Sequence, residues 1–465
     1  MAARPGLGTV AIPRLVLGGT ASGVGKTTLV VSLIRALRSR GLGVAAFKAG
    51  PVYLDPTYHA RATGAACHNL DGWMMGRQAV RATFARAAEG ADIALIEGVM
   101  GLYDGASPTG EAGSTAEIAK WLEAPVLLVV DASGMARSIA ALAQGFSAYD
   151  PALRVAGVLA NRVGSRGHLD LLRQALRDPP ILGGLPTEPA LAFPERHLGL
   201  RSADAQVLPD RLLDAWGATA TEWITIDRLL EVARSAPPLE RIAASPARAA
   251  PRCRIGVALD AAFHFYYEDN LRRLQQLGAE LVCFSPIADP ALPAVDGLYL
   301  GGGYPEAHAE ALSSNGAMRG AIADFAARGG PIYAECGGLM YLSGAIRTCD
   351  ARSHAMVGLL PGVAVVHDRL QALGYVEVET QARSLLGPAG ARFRGHQFRY
   401  SELVEVPDAT ERLYRVRRRR GGDVTLEGYR VGSVVASYVH AHWASNPLVA
   451  ESFVAACSDA RAHDG

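Results

Sequence analysis

The sequence predicts an α/β protein of two domains, each built on a mostly parallel, doubly wound sheet. Three observations lead to this prediction. The chain has 465 residues, more than one hydrophobic core usually serves. Short apolar runs alternate with stretches of helical periodicity in both halves, which is typical of βαβ units. Between the halves, Ser235–Pro251 is rich in proline and alanine and lacks periodicity, as a linker would.

We therefore expect a first domain over residues 1–234, a linker over 235–252 and a second domain over 253–465. The net charge of +1 indicates no general attraction to nucleic acid or to an anionic membrane. Six scattered cysteines without a C-x-x-C pair favour neither a disulfide scaffold nor a cysteine zinc site. With no leader-like segment at Met1–Pro13 and no apolar run of membrane-spanning length, we expect a soluble, cytoplasmic protein.

The first predicted unit is a strand, a glycine loop and a helix. Leu15–Leu17 is an apolar run, and apolar residues recur at helical spacing from Leu29 to a stop at Gly41. In such a loop the backbone N–H groups and the helix N-terminus converge on a phosphate. Lys26 would reach the β- and γ-phosphates of a nucleotide and Thr27 would ligate Mg²⁺. The predicted nucleotide-binding residues are Gly19, Thr20, Ser22, Gly23, Val24, Gly25, Lys26, Thr27 and Thr28.

Further strands and helices alternate through the first half. The predicted strands are Val44–Phe47, Ile93–Ile96, Val126–Val130, Val155–Leu159 and Ile181–Gly184, and the predicted helices include Ala79–Ala87, Ala116–Leu122 and Leu169–Leu176. Ligands of such folds collect at the carboxyl ends of the strands. Asp55, Glu97 and Asp104 all follow strand ends on the edge that carries Lys26. Carboxylates beside a phosphate loop suit Mg²⁺, and we expect Thr27, Asp55 and Glu97 to hold it.

The second half predicts a thiol nucleophile. A strand at Arg254–Leu259 opens a new α/β unit, and Pro331–Ala334 runs as a strand into Glu335-Cys336-Gly337-Gly338. Two glycines permit a tight turn before a helix, so Cys336 would stand above the sheet, with its thiolate favoured by the helix N-terminus. Two histidines, His440 and His442, alternate on a predicted last strand and would face one side.

Two other stretches of the second half invite a prediction. The backbone amides of Gly301, Gly302 and Gly303 follow a strand and would form an oxyanion hole. The basic run Arg415–Arg420 has no accompanying aromatic residues in a near-neutral chain, which favours a solvated hairpin over a nucleic-acid surface.

Several motifs resemble one family in the family's own order. The loop form Gly-Thr-x-Ser-x-Val-Gly-Lys-Thr resembles the dethiobiotin-synthetase-like branch of P-loop proteins, although Thr20 stands where the strict pattern has glycine. Further along, Gly-Pro-x-Tyr-Leu-Asp-Pro, Glu-Gly-Val-Met-Gly-Leu-Tyr-Asp-Gly and the Tyr-x-His segment resemble cobyrinic acid a,c-diamide synthase and its hydrogenobyrinic acid counterpart. The resemblance covers about Leu15 to Ser452.

The resemblance implies an ATP-binding amide synthetase domain followed by a class I glutamine amidotransferase domain. It implies a carbon–nitrogen ligase that takes ATP, Mg²⁺, L-glutamine and a corrin-ring polycarboxylate and works in cobalamin biosynthesis. On this match His440 is the catalytic partner of Cys336, and Asn161 recognises adenine. Tyr53, Leu54 and Asp104 would line the substrate side.

Two departures from the family pattern leave alternatives open. Val52 stands where the family has aspartate, so either that acid is dispensable or amidation is weakened or redirected. Gln397 stands where glutamate is more frequent. A related tetrapyrrole amidotransferase, acting on nickel-sirohydrochlorin or as a cobyric acid synthase, is the first alternative function, and a non-enzymatic ATPase switch is the second. Whether the corrin carries cobalt, which carboxylate reacts first and how many chains assemble also remain open.

Overall fold

The computed structural model describes residues 9–191, 193, 208–240 and 248–464. The chain divides into two compact units, Met1–Ala244 and Ser245–Gly465. Residues 241–247 of the predicted linker lie outside the described residues, whereas Leu239–Glu240 just before them form a short strand. Among the helices described, none has both the length and the apolar composition that spanning a bilayer demands.

The described part of the first unit contains short strands and helices in alternation. Its strands are β1 Thr9–Val10, β2 Arg14–Gly19, β3 Val44–Ala49, β4 His68–Leu70, β5 Ile93–Glu97, β6 Val126–Asp131, β7 Val155–Asn161, β8 Ile181–Gly183 and β9 Leu239–Glu240. Its helices are α1 Lys26–Ser39, α2 Leu54–Thr63, α3 Gly72–Ala87, α4 Thr115–Trp121, α5 Ser138–Tyr149, α6 Arg166–Ala175, α7 Asp210–Trp223 and α8 Ile226–Arg234.

Seven of these strands form one parallel sheet in the order β4-β3-β5-β2-β6-β7-β8. Every residue of the central strand β2 is buried, as expected where helices cover both faces of a parallel sheet. Leu15 and Leu17 face a core with α1, α2, α7 and α8, whereas Val16 faces the opposite core with α3 to α6. The predicted doubly wound sheet is thus confirmed for this unit.

The second unit is richer in strands. They are β10 Cys253–Ala258, β11 Phe263–Phe265, β12 Ala279–Phe284, β13 Gly297–Leu300, β14 Gly302–Gly303, β15 Ile332–Glu335, β16 Ser343–Arg347, β17 Ser353–Ala355, β18 Leu360–Val366, β19 Ala372–Thr380, β20 Arg392–Arg399, β21 Ser401–Val404, β22 Glu411–Arg418, β23 Val424–Val431, β24 Val434–Ser437 and β25 His440–Ala441. The helices are α9 Glu268–Gln276, α10 Ala309–Ser314, α11 Gly316–Ala327, α12 Gly337–Leu342 and α13 Pro447–Asp464.

The main sheet of the second unit is half parallel and half antiparallel. Its order is β12-β10-β13-β15-β24-β23-β22-β19-β20-β25, and the first five strands run parallel. The other five pair antiparallel, an extension that the sequence analysis did not describe. The basic run lies at the β22–β23 turn with most of its arginines exposed, so the predicted hairpin is confirmed. The two-domain α/β class is confirmed as well.

One buried arginine ties the ends of the first unit together. Arg14 is fully buried in β2, and its guanidinium donates to the carbonyls of Leu122 (2.6 Å), Ile12 (2.9 Å) and Pro237 (2.6 Å). Pro237 precedes β9, which pairs with β1. The guanidinium therefore stabilises the path of the chain where the first unit ends.

Replacing Arg14 with methionine should destabilise the first unit. The change keeps an unbranched side chain but leaves buried carbonyls without a donor, for a loss of about 2–4 kcal/mol in the free energy of unfolding. Urea unfolding followed by tryptophan fluorescence measures this, because Trp73, Trp121, Trp216 and Trp223 lie in this unit. The matched change Arg173→Met removes an exposed ion pair with Asp170 and should cost about 0.5 kcal/mol or less. Equal losses in the two variants would contradict this account.

Candidate functional site

The glycine loop lies between a buried strand and the N-terminus of a helix. It connects β2 to α1, which begins at Lys26, and Gly25 before the helix has a φ of 88°. A Cβ atom on Gly19 would lie 2.7 Å from Lys26 Nζ, and one on Gly25 would lie 2.1 Å from Asn161 Nδ2. Side chains at these two positions would therefore displace the lysine and the asparagine. The predicted order of strand, loop and helix is confirmed.

Lys26 is folded back over this loop. Its Nζ donates to the carbonyls of Ala21 (2.9 Å) and Met100 (2.6 Å), and the residue is 7% exposed. Burial, with a smaller contribution from the nearby Lys48 ammonium, lowers the pKa of Lys26 to about 8. The backbone carbonyls that accept from the ammonium are neutral, so an anionic phosphate at the loop would bind it more strongly.

Glu97 is the centre of a buried polar cluster beside the loop. One carboxylate oxygen, Oε1, accepts from Thr27 Oγ1 and from Lys48 Nζ, each at 2.8 Å. The other, Oε2, lies 2.6 Å from His59 Nε2. Burial alone would raise the pKa of Glu97, but Lys48 and His59 outweigh it and hold that pKa well below its usual range. Glu97 is therefore a carboxylate that stays ionised inside the protein.

Lys48 and His59 are site residues that the sequence analysis missed. Lys48 is 3% exposed, and its Nζ lies 2.7 Å from Asp55 as well as 2.8 Å from Glu97. Burial lowers the pKa of Lys48, but the two carboxylates outweigh it and raise that pKa above its usual value. Lys48 and Glu97 are register partners on adjacent strands, β3 and β5. The strand-end position of Lys48 was the available signal.

The oxygen atoms near the loop suit Mg²⁺. Thr27 Oγ1 and Glu97 Oε1 are 2.8 Å apart, so a hydroxyl and a carboxylate meet at the first turn of α1. These are hard oxygen ligands of the kind that Mg²⁺ prefers. Asp55, the third residue predicted to hold Mg²⁺, forms an ion pair with Lys48 instead. The described residues hold no group of three or more His, Cys, Asp or Glu placed for a metal, so phosphate and water would have to complete its shell.

The remaining predicted residues of the first unit lie around the same edge. Tyr53 and Leu54 are buried where α2 begins. Asp104 is exposed, and its Oδ2 accepts from the Gly101 N–H at 2.9 Å. Asn161 Nδ2 donates to the Val24 carbonyl at 2.9 Å, so this side chain braces the loop.

In the second unit, Cys336 lies on a strained turn between β15 and α12. Its φ is 47° and its ψ is −99°, a combination that a residue with a Cβ atom rarely adopts. The Cys336 N–H donates to the Ser437 carbonyl at 2.7 Å. A Cβ on Gly338 would lie 2.3 Å from the Leu300 carbonyl oxygen, so only glycine permits this approach. The predicted strand, cysteine turn and helix are confirmed.

The two histidines lie on the last strand and directly after it, and His442 keeps an extended backbone whose N–H donates to the Arg394 carbonyl of β20. Strand β25 ends at Ala441, after which His442 caps the short 3₁₀ turn Trp443–Ser445 through Nδ1, which accepts from the Ala444 N–H. His440 pairs in register with His396 on β20, and the two rings stack with centroids 5.2 Å apart. The assigned strand ends at Ala441 because the 3₁₀ turn that His442 caps begins at Trp443.

The glycine turn brings the cysteine and His440 to one place. A Cβ on Gly302 would lie 2.5 Å from His440 Cε1, and a Cβ on Gly337 would lie 3.0 Å from the Gly303 nitrogen. Gly302 thus contacts the imidazole, while Gly303 contacts the turn that carries Cys336. The Gly301 N–H already donates to Tyr266 Oη at 2.8 Å. Among the three predicted glycines, Gly302 and Gly303 are therefore the pair beside the thiol.

The resting protonation states follow from burial. Burial, together with the nearby Glu306 carboxylate, raises the pKa of the Cys336 thiol to about 12, although the Arg399 guanidinium acts in the opposite direction. Burial and the neighbouring His396 lower the pKa of His440 well below its ordinary value. The site therefore rests as a neutral thiol and a neutral imidazole. The Gly337 N–H, at the N-terminus of α12, lowers the pKa of Cys336 as expected, but burial outweighs it.

Alkylation of Cys336 should therefore be strongly pH-dependent. A raised pKa means that the thiol stays protonated at neutral pH, so the rate with iodoacetamide should rise about tenfold per pH unit from neutrality to about pH 10. The measurement uses a protein in which the exposed thiols are removed by Cys283→Ser and Cys349→Ser. A rate that levels off near neutral pH would mean a resting thiolate.

Two families of known proteins match this chain, one in each half. Residues 15–200 match the CobQ/CobB/MinD/ParA nucleotide binding domain, and residues 254–448 match the CobB/CobQ-like glutamine amidotransferase domain. Each match contains one of the two sites described above.

Three relatives align along nearly the whole chain, and each is named cobyrinate a,c-diamide synthase. The protein from Leptospira interrogans is 51% identical over 449 residues, which is 96% of this chain and 99% of the relative. That from Syntrophotalea carbinolica is 50% identical over 452 residues, 96% of this chain and 98% of the relative. That from Methanothermobacter thermautotrophicus is 41% identical over 447 residues, 95% and 98% of the two chains. The chain belongs to the cobyrinate a,c-diamide synthase family.

Proposed function

We propose that this chain converts the a and c carboxylates of cobyrinic or hydrogenobyrinic acid into amides, with ATP as the energy source and glutamine as the nitrogen donor. The observation that carries the proposal is the full-length similarity to cobyrinate a,c-diamide synthases, in a chain that has both a phosphate loop and a cysteine–histidine site. The second site argues against a simple ATPase switch, which would have no use for a strained thiol.

Glutamine hydrolysis would take place at Cys336. The sulfur attacks the side-chain amide carbon of glutamine, and His440 accepts the thiol proton as the C–S bond forms. The proximity of Gly302 to His440 and of Gly303 to Gly337 supports a role for this turn in stabilising the oxyanion. Collapse of that intermediate breaks the C–N bond, and the proton leaves with ammonia. Water then hydrolyses the thioester to glutamate and restores the thiol.

Carboxylate activation would take place at Lys26. A carboxylate at neutral pH is a poor acceptor for ammonia because hydroxide is a poor leaving group. Attack of the substrate oxygen on the γ-phosphorus of ATP releases ADP and gives an acyl phosphate. Ammonia then forms the C–N bond and phosphate leaves. Lys26 balances phosphate charge, and Tyr53, Leu54 and Asp104 line the corrin side of this site, with Asn161 near the adenine.

Thr27 and Glu97 would hold Mg²⁺, with Asp55 nearby through Lys48. Their hydroxyl and carboxylate oxygens face each other at the start of α1, which suits a hard cation. When bound, the ion would supply charge neutralisation at the β- and γ-phosphates. Binding would require the carboxylate oxygens of Glu97 to exchange a hydrogen bond from Thr27 or Lys48 for the cation.

The Cys336→Ser variant tests the division of labour. It should lose glutamine-dependent amidation by at least about a thousandfold yet keep amidation with free ammonia, because only nitrogen release needs the thiol. The assay is mass analysis after incubation with ATP, Mg²⁺, either nitrogen source and cobyrinic, hydrogenobyrinic or sirohydrochlorin-type acids.

The matched control for this experiment is Cys283→Ser, which removes an exposed thiol of the same unit and should leave both reactions unchanged. Loss of the ammonia-dependent reaction in Cys336→Ser would contradict a two-site enzyme. If amide products formed from sirohydrochlorin derivatives but not from the corrin acids, the substrate would be a sirohydrochlorin and the proposed corrin substrate would be wrong.

The Val52→Asp variant tests the departure from the family pattern. Val52 is partly buried against the core, and its carbonyl accepts from Asn69 Nδ2 at 2.8 Å, a contact that does not depend on the side chain. The loop should therefore persist while a carboxylate is added three residues before Asp55. We expect at least one of the two amidation rates to rise severalfold. The Val52→Asn variant, which has a similar shape but no charge, shows whether the charge causes the increase. Unchanged rates for both amidations would mean that the position is dispensable here.

A further inference from the structure

The segment that carries His440 is short and irregular, yet catalysis requires it to be placed accurately. It runs from Ser437, the last residue of β24, to Ala441, the last residue of β25. The segment contains no acid, and the position two residues after His440 is His442, so no carboxylate of its own orients the base. Other groups must set the geometry of the cysteine–histidine pair.

Glu335, directly before Cys336, reaches one end of this segment. Its Oε1 accepts from the Ala441 N–H at 2.9 Å and from Tyr333 Oη at 2.7 Å, and its Oε2 accepts from Tyr299 Oη at 3.0 Å. The side chain is fully buried. One carboxylate thus joins the residue before the nucleophile to the residue after the base.

Glu427, on β23, reaches the other end. Its two oxygens accept from the Ser437 hydroxyl and from the Tyr438 N–H at 2.6 Å. Ser437 in turn accepts the Cys336 N–H through its carbonyl. The segment is therefore held by a carboxylate on each side and by the backbone of the nucleophile itself.

We propose that Glu335 and Glu427 are positioning residues that hold Ser437–Ala441 and thereby set His440 against Cys336. This proposal rests on the proposed glutaminase reaction but assigns roles to residues outside the cysteine–histidine pair. An error of about 1 Å in the placement of a catalytic group can reduce a rate about a hundredfold, so a carboxylate at each end of a five-residue segment has a direct effect on turnover.

The electrostatics agree with hydrogen-bond accepting roles. Burial raises the pKa of Glu335 to about 7, against the effect of the Ala441 N–H and the two tyrosine hydroxyls. Burial also raises the pKa of Tyr299 and of Tyr333 well above 10, so both hydroxyls remain protonated donors. Loss of the carboxylate would leave these buried donors unsatisfied, which is costly in a protein interior.

The test compares alanine and glutamine at each position. Glu335→Ala and Glu427→Ala should lower the kcat of glutamine hydrolysis about a hundredfold with KM for glutamine nearly unchanged. Glu335→Gln and Glu427→Gln keep a carbonyl for the backbone N–H and should restore kcat to within about tenfold of the parent. Ammonia-dependent amidation should stay unchanged in all four variants.

The matched control is Glu310→Ala on the exposed face of α10, which should leave every rate unchanged. Parent-level kcat in both alanine variants, or a raised KM with unchanged kcat, would overturn the proposal. Near-UV circular dichroism verifies folding. If Glu335→Ala does not fold, the two variants of the partly exposed Glu427 provide the test by the same criteria. A parent protein without glutaminase activity would instead refute the proposed function.

Discussion

The hydrogen bond from the Cys336 N–H to the Ser437 carbonyl joins the ends of two adjacent parallel strands, and the chemistry of the second unit depends on it. Because β15 and β24 run in the same direction, both leave the sheet at the same edge. The nucleophile follows one strand directly, and the base follows the other after two intervening residues. Backbone pairing alone therefore places a thiol and an imidazole near each other, and side chains need only refine their positions.

In the first unit, the pairing of adjacent parallel strands likewise brings charged side chains together. Lys48 and Glu97 are register partners at the ends of β3 and β5, next to the loop that follows β2. Burying an isolated charge is expensive, but this carboxylate is surrounded by an ammonium, an imidazole and a hydroxyl. The partners keep Glu97 ionised beside the first turn of α1. An oxygen ligand is thus available where nucleotide phosphates would bind.

Much of this arrangement was predictable from local sequence. Six strands of the first half were predicted to within about two residues, because each is a short apolar run between turn residues, whereas the short strands β1, β4 and β9 were missed. The thiol turn at Cys336 was predictable because two glycines between a strand and a helix permit a tight turn that residues with a Cβ atom would block. Apart from the hairpin at Arg415–Arg420, the antiparallel pairing of β19 with β20 and β22 was missed, since it joins segments that are separate in sequence. The capped turn at His442 was also missed, because its cap forms only when the chain has already turned.

The sequence by itself determined the element order, the glycine positions and the chemistry of the main candidate residues, because these follow from periodicity and from short-range backbone geometry. The tertiary structure alone decided which charges meet. Lys48 and His59 became partners of Glu97, and Glu335 became a partner of Ala441, through contacts between distant parts of the chain. It also decided that Cys336 rests as a thiol, because a pKa depends on burial and neighbouring charges that no local pattern encodes.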